Sequence, residues 1–216
     1  MKILVGSPPK QFSVHFDVLC RKSPRFETMF KEGYPIGHKQ VLELQYAIVS
    51  VFELFMTWLY QDIIEKPAGS ETAVIELLRD LVIFAERYSI SDLADLAMDS
   101  MIKARKEIGK FPGCVNLRMY TTTKPGSRLR KLYIKTLAHI TFDRRKNTDC
   151  TDQILISVLQ RHADIFPGYI KELRMRYEMP GVQHPFKLAP CTYHGHGNNQ
   201  PCPVASKKRK RDVDDE

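Results

Sequence analysis

Four side chains near the C-terminus have the types and spacing of a metal site: Cys191, His194, His196 and Cys202, in the pattern C-x2-H-x-H-x5-C. Two soft thiolates and two imidazoles make a tetrahedral zinc set, and the C-x2-H spacing closes a chelate turn of ordinary size. In an extended chain the two rings of H-x-H would point to opposite faces. Gly195 and Gly197 would therefore have to fold the backbone for both to reach one ion. The competing reading is a disordered tail with incidental Cys and His, and the composition favours it. The loop lacks apolar residues to pack a zinc knuckle, and no carboxylate lies inside it to orient a ligand. No other cofactor is expected, and a zinc here would be structural.

A second constellation follows at Lys207, Lys208, Arg209, Lys210 and Arg211, framed by Ser206 and the acidic Asp212-Val213-Asp214-Asp215-Glu216. Five consecutive cations repel one another and stay extended, presenting a ladder of charge to an acidic groove. That fits a nuclear-import signal read by an import receptor; a solubilising tail is the alternative. Direct binding to nucleic acid is not expected, because the flanking acids partly cancel the attraction to phosphates. Localisation is therefore expected in the nucleus, the cytoplasm or both.

A third set, His15, Asp17 and Cys20, could be read as base, orienting acid and nucleophile. These residues fall at a strand–helix junction and one turn into the helix, where capping and core packing are the better reading. The chain has no Gly-rich phosphate loop, no G-x-S-x-G, no H-E-x-x-H and no carboxylate cluster. An enzyme is not expected, and no residue is assigned a catalytic role.

The elements that must position these groups come from a chain long enough for one domain with appendages or a small second region. Hydrophobic residues make up 43%, enough for a real core, and no run approaches the ~18–20 apolar residues that span a membrane. The N-terminal Met1-Lys2-Ile3-Leu4-Val5-Gly6 is apolar too briefly for a signal peptide. Five cysteines (Cys20, Cys114, Cys150, Cys191, Cys202) do not make a disulfide framework, so a reducing compartment is expected. The net charge of +8 is unevenly spread. Residues 1–110 carry 14 Lys and Arg against 15 Asp and Glu, and residues 111–206 carry 14 against 6. The basic middle region could attract an acidic partner, or could simply be a solvated helix face.

Residues 2–6 and 11–16 alternate around the turn Ser7-Pro8-Pro9-Lys10, which predicts a β-hairpin. Two short helices are expected near 17–22 and 24–31, then a third strand at Val41, Leu42 and Leu44. Val49, Phe52, Phe55, Met56 and Leu59 recur at helical spacing on a helix that carries the sole Trp, Trp58. The run 72–88 is helical, with Val74, Leu77, Leu78, Leu81, Phe84 and Ala85 on one side. Ser91-Asp92 offers an N-cap for a further helix, which Phe111-Pro112-Gly113 ends. Further helices are expected at 128–140, with Leu129, Leu132, Tyr133, Leu137 and Ile140 on one face, and near 151–162 and 166–177. After about Met179, Pro, Gly, His and Asn predict loop or disorder.

The stretch His15-x-Asp17-Val18-Leu19-Cys20, with Ser23-Pro24-x-Phe26 after it, resembles the strand–helix core of BTB/POZ domains, particularly those common in fungi. Phe52-Glu53-Leu54-Phe55 with Trp58-Leu59-Tyr60 is similar to a second signature of that family. Phe84-Ala85-Glu86-Arg87-Tyr88-Ser89-Ile90 with Leu93 is similar to a third. Tyr120 to Leu132, with Thr123, Gly126-Ser127, Leu129 and Arg130, resembles a helical extension of fungal members, in which a C-x-Y-H-x-H segment also recurs. The resemblance implies an α+β BTB/POZ fold at 1–109, a small three-stranded sheet with helical hairpins. A helical extension at 110–179 and a mostly disordered Cys/His and basic tail at 180–216 would follow.

It also implies protein docking, with Phe52, Phe55, Trp58 and Tyr60 as the candidate partner surface. The leading expectation is a scaffold or oligomerisation module whose partners are proteins, another BTB chain among them. One alternative is a substrate adaptor of a cullin-type ubiquitin ligase, using helix 49–60 for the cullin and the bundle at 111–178 for substrate. Another is a transcription regulator acting through partners. Many relatives begin with an extra helix and strand that swap across a dimer and supply an acidic residue paired with a base after the family His. Here Met1-Lys2 and Phe16 stand at those places, so neither the charged pocket nor the strand-swapped dimer is expected; a truncated start would account for the first difference equally well.

Overall fold

The computed structural model of the chain describes residues 1–33, 41–65, 67–108, 123–142, 151–179, 181–196 and 202. Two compact units emerge, one built on Met1–Met101 and one on Ile102–Cys202. The boundary falls within a helix, not at residue 109, and the second unit takes in the segment after 180 that composition assigned to a tail.

The first unit is α+β, a small three-stranded sheet with helical hairpins, as the signatures implied. Strands β1 (Lys2–Val5), β2 (Lys10–Ser13) and β3 (Val41–Leu44) form one sheet in the order β2-β1-β3. The hairpin β1–β2 is antiparallel, with Ile3 opposite Phe12. The β1–β3 pair is parallel, with Ile3 beside Leu42 and Val5 beside Leu44. Because side chains alternate along a strand, this register gathers Ile3, Val5, Leu42 and Leu44 on one buried face.

Helices α1 (Phe16–Lys22), α2 (Pro24–Gly33), α3 (Val49–Gln61), α4 (Glu71–Arg87) and α5 (Ser91–Ile108) complete the unit. Pro24 opens α2, where its missing N–H would have found no helical partner anyway. Ser70 caps α4 by accepting from the Ala73 N–H at 3.3 Å. The expected cap of α5 shifts by one residue: Ser91 is already helical, and the Ala94 N–H donates to the Ile90 carbonyl at 3.0 Å.

The core of this unit is an aromatic cluster. The Phe26 ring stacks on Tyr88 at 4.6 Å with an interplanar angle of 6°, and Phe84 meets both Tyr88 (4.6 Å) and Phe55 (5.1 Å). Phe52 adds edge contacts to Phe55 and Phe84. Offset and edge-on rings at such separations contribute about 0.5–1.5 kcal/mol per pair beyond the area they bury.

The second unit is helical, with α6 (Arg128–Phe142), α7 (Asp152–Arg161) and α8 (Phe166–Glu178), close to the spans read from periodicity. Its core holds Tyr133, Leu137, Ala138, Ile140, Val158, Ile165 and Tyr169. Gly168 lets α8 approach α6 closely, since a Cβ there would sit 3.2 Å from Ile134. Thr151 caps α7 by accepting from the Ile154 N–H at 3.3 Å.

The expectation of disorder after Met179 is corrected for residues 181–196. Two 3-10 turns, Pro185–Lys187 and Pro190–Tyr193, both contact α6. Phe186 and Tyr193 are almost fully buried. Composition described a polar segment, but two aromatic side chains suffice to seat it.

Candidate functional site

The residues of the first signature divide into a fastening set and an exposed set. Ser23 is 0% exposed, and its hydroxyl donates to the Tyr88 carbonyl at 2.7 Å. That bond holds the turn between α1 and α2 against the end of α4, which sets Phe26 onto the Tyr88 ring. Two signatures that lie 65 residues apart in the chain therefore describe one contact. Burial pushes the Tyr88 phenol above its ordinary range, opposed by Arg87 and Arg25. Leu19 is buried, Cys20 half-buried, and His15, Asp17 and Pro24 exposed. His15 is the N-cap of α1, but its side chain makes no cap bond. Its backbone N–H donates to the Tyr60 hydroxyl at 3.1 Å, and its Nδ1 lies 3.0 Å from the same oxygen. The imidazole is thus engaged by the Tyr60 hydroxyl near the end of α3, while the capping bond and deep burial expected of His15 and Asp17 are not observed.

The candidate partner surface on α3 requires correction. Phe52 and Phe55 are fully buried and Trp58 is 2% exposed, so these three belong to the core. The periodicity that identified them marks the inward stripe of an amphipathic helix. Of the four, only Tyr60 reaches the surface, at 46% exposed. Two apolar residues that the sequence reading passed over lie just before the helix: Tyr46 at 91% and Ile48 at 45% exposure. Their signal was present as large apolar side chains between the strand and helix patterns, in register with neither.

Within the second unit, the T-x-x-G-S-x-L-R pattern has a physical basis. Arg130 donates from Nε to the Thr123 hydroxyl at 3.1 Å and from Nη2 to the Thr123 carbonyl at 2.8 Å. Gly126 takes φ +85°, the left-handed region that favours glycine, and the Ser127 hydroxyl accepts from the Leu129 N–H at 3.2 Å. Three of the cations of this region are engaged internally. Arg130 pairs with Asp164, Lys135 with Glu172 at 2.5 Å, and Arg176 donates to His139 Nδ1 at 3.1 Å. Burial pushes the Arg176 guanidinium and the Lys131 ammonium down; Glu172 opposes both shifts, and Lys135 adds to that of Lys131. A cleft of about 350 Å³ is lined by Arg130, Lys131, Asp164, Lys171 and Glu172 among others.

The four Cys/His residues come together. One ligand atom from each of Cys191, His194, His196 and Cys202 lies within 4.8 Å of all the others. His194 Nδ1 is 3.1 Å from the Cys202 sulfur, and the two imidazole centroids are 5.6 Å apart at 71°. The intervening Gly195 lies against the Arg128 guanidinium, so close that a Cβ would collide with it. Beside them the buried Tyr193 donates its hydroxyl to the Pro185 carbonyl at 2.9 Å, and burial raises its pKa strongly. His184 packs its ring edge-on to His139 at 4.4 Å. The objection that no apolar residue packs near the loop is thereby corrected, because Phe186 and Tyr193 supply that packing. The cation run Lys207 to Arg211 and the proposed chain-breaker at 111–113 lie outside the described residues.

No curated protein matches the chain. The family model of the BTB/POZ domain matches residues 1–105, which covers the sheet and α1 to α4 and reaches into α5. With the sheet order, the Ser23–Tyr88 fastening and the aromatic cluster in place, the first unit of this chain is a BTB/POZ domain, a protein-interaction fold.

Proposed function

We propose that this chain is a docking scaffold that engages other proteins through the surface at the start and outer face of α3. The observation that carries this reading is the exposure of Tyr46, Ile48 and Tyr60 on a domain of a protein-interaction family. Tyrosine combines a large apolar body with a hydroxyl and is a favoured anchor at protein interfaces. The basic run Lys207 to Arg211 supports nuclear import of the scaffold.

A second reading, the cullin-type adaptor, is favoured by one observation. The second unit has a core and a cleft of its own, as a separate substrate-holding body requires. Affinity purification of the tagged full chain from its native cells, followed by mass spectrometry, separates the two. A cullin with its ring-finger subunit supports the adaptor; a cullin-free set of nuclear proteins supports the scaffold. In both cases Tyr46→Ala with Ile48→Ser should deplete the recovered partners about tenfold or more while leaving the fold intact, as loss of an interface anchor does. Undiminished recovery would reject the α3 surface. Salt-sensitive retention on DNA would instead favour the regulator reading.

A further inference from the structure

We infer that Cys191, His194, His196 and Cys202 hold one zinc ion, and that the ion is a clasp fastening residues 184–202 onto α6. This inference is independent of the docking reading. Bonds of ≈ 2.0–2.1 Å to nitrogen and ≈ 2.3 Å to sulfur at tetrahedral angles imply ligand–ligand edges of roughly 3.3–3.8 Å. The four donors already lie within 4.8 Å of one another, and the His194–Cys202 edge is 3.1 Å. Side-chain adjustments on the order of 1 Å bring the set to coordination distance. The donor types fit zinc: two thiolates neutralise the dication, and two imidazoles complete a closed structural site.

The local backbone explains why an ion is needed. Apart from one 3-10 turn, the described residues that carry the ligands, 191–196 and 202, have no regular secondary structure, so their own hydrogen bonds do little to offset the entropy of ordering them. Phe186 and Tyr193 seat one end of it, and the His194 ring is buried with them. Cys202 lies eight residues beyond His194, and its sulfur comes back to 3.1 Å from His194 Nδ1. At Gly195, between the two ligand histidines, the chain lies against the Arg128 guanidinium. The two imidazoles thus share one side, unlike those of an extended H-x-H.

The test is made on the full chain, purified under reducing conditions without chelator. Elemental analysis should find about one zinc per chain, as a closed structural site requires. Exchange into cobalt should give the visible ligand-field bands of a tetrahedral ion together with thiolate-to-metal charge transfer. Cys191→Ser and His196→Ala should each lose most of the metal, whereas Cys114→Ser with Cys150→Ser and Cys20→Ser should retain it. A chelator should increase tryptic cleavage after the exposed Lys187 several-fold, and the unfolding midpoint of the second unit should rise with free zinc, as mass action requires.

Should the ligand variants fail to fold, the cobalt spectrum and the chelator response of the unaltered chain still decide. Metal-free protein with Lys187 protected would overturn the inference. So would a cobalt spectrum without thiolate bands, metal that follows Cys114 and Cys150, or a Cys191–Cys202 disulfide in the freshly reduced protein.

Discussion

The first unit closes its core with rings: Phe26, Phe52, Phe55, Phe84 and Tyr88 contact one another in a continuous cluster. The second unit closes a mostly aliphatic core with Tyr133 and Tyr169 in it and adds directed bonds around it. Arg130 grips Thr123, Arg176 meets His139, Tyr169 donates to Thr141, and Tyr193 reaches Pro185. Non-directional packing tolerates small shifts, whereas a buried donor that loses its acceptor forfeits its full desolvation cost. The first unit is thus specified by volume and shape. The second depends on geometry at a handful of polar atoms, which is where a metal clasp gains most.

The largest test of that contrast is core truncation. Phe55→Ala should cost about 3–5 kcal/mol and Leu137→Ala about 2–5 kcal/mol, each lowering the denaturant midpoint of its own unit. A common shift of both transitions would show one cooperative block and dissolve the comparison. Next comes Ser23→Ala, which leaves the buried Tyr88 carbonyl without its hydroxyl donor and should cost about 1–3 kcal/mol in chemical denaturation. The helix caps are smaller and should be alike in both units. Ser70→Ala and Thr151→Ala should each cost about 1 kcal/mol, read as faster amide exchange in the first turns of α4 and α7. A cap effect confined to one unit would mean that the other is held by its packing alone.

The most discriminating effect concerns alkaline pH. Burial pushes the Tyr133 phenol up to about 12, whereas in the unfolded chain it ionises near its ordinary value of about 10. Below about pH 10 both states are protonated and stability is unaffected. Between about 10 and about 12 the unfolded chain releases a proton that the folded chain keeps, so stability falls as pH rises. Unfolding midpoints compared at about pH 9 and about pH 11 should drop more for the second unit, and Tyr133→Phe should flatten part of that drop. An unchanged slope in that variant would show that the ring is not the titrating group.

Much of the fold was legible because period-2 and period-3.6 patterns report burial directly. The helix at Val49–Gln61 and the Leu129, Leu132, Tyr133, Leu137 and Ile140 face stand where their spacing put them, and so does the hairpin, except that its second strand ends at Ser13 and Phe16 already belongs to α1. The same signal misled where it was given a second meaning. An apolar stripe on a helix is the side it buries, so Phe52, Phe55 and Trp58 could not also be a partner surface. Other features had no local signal. The parallel β1–β3 pairing joins strands from opposite ends of three elements, and the seating of Phe186 and Tyr193 depends on α6. The convergence of Cys191, His194, His196 and Cys202 was half legible: spacing named the donors, and only the folded backbone shows them facing one point.

The turn at Ser23-Pro24 has one more implication, for covalent modification. A serine followed by proline is the minimal substrate of proline-directed kinases, and on sequence alone this one invites phosphorylation. Ser23, however, is fully buried and its hydroxyl is committed to the Tyr88 carbonyl. A phosphate, with its double negative charge and three acceptor oxygens, has no room between α2 and the end of α4. In the folded domain this Ser-Pro is closed to kinases, and a phosphate found there would mark a chain modified before it folded.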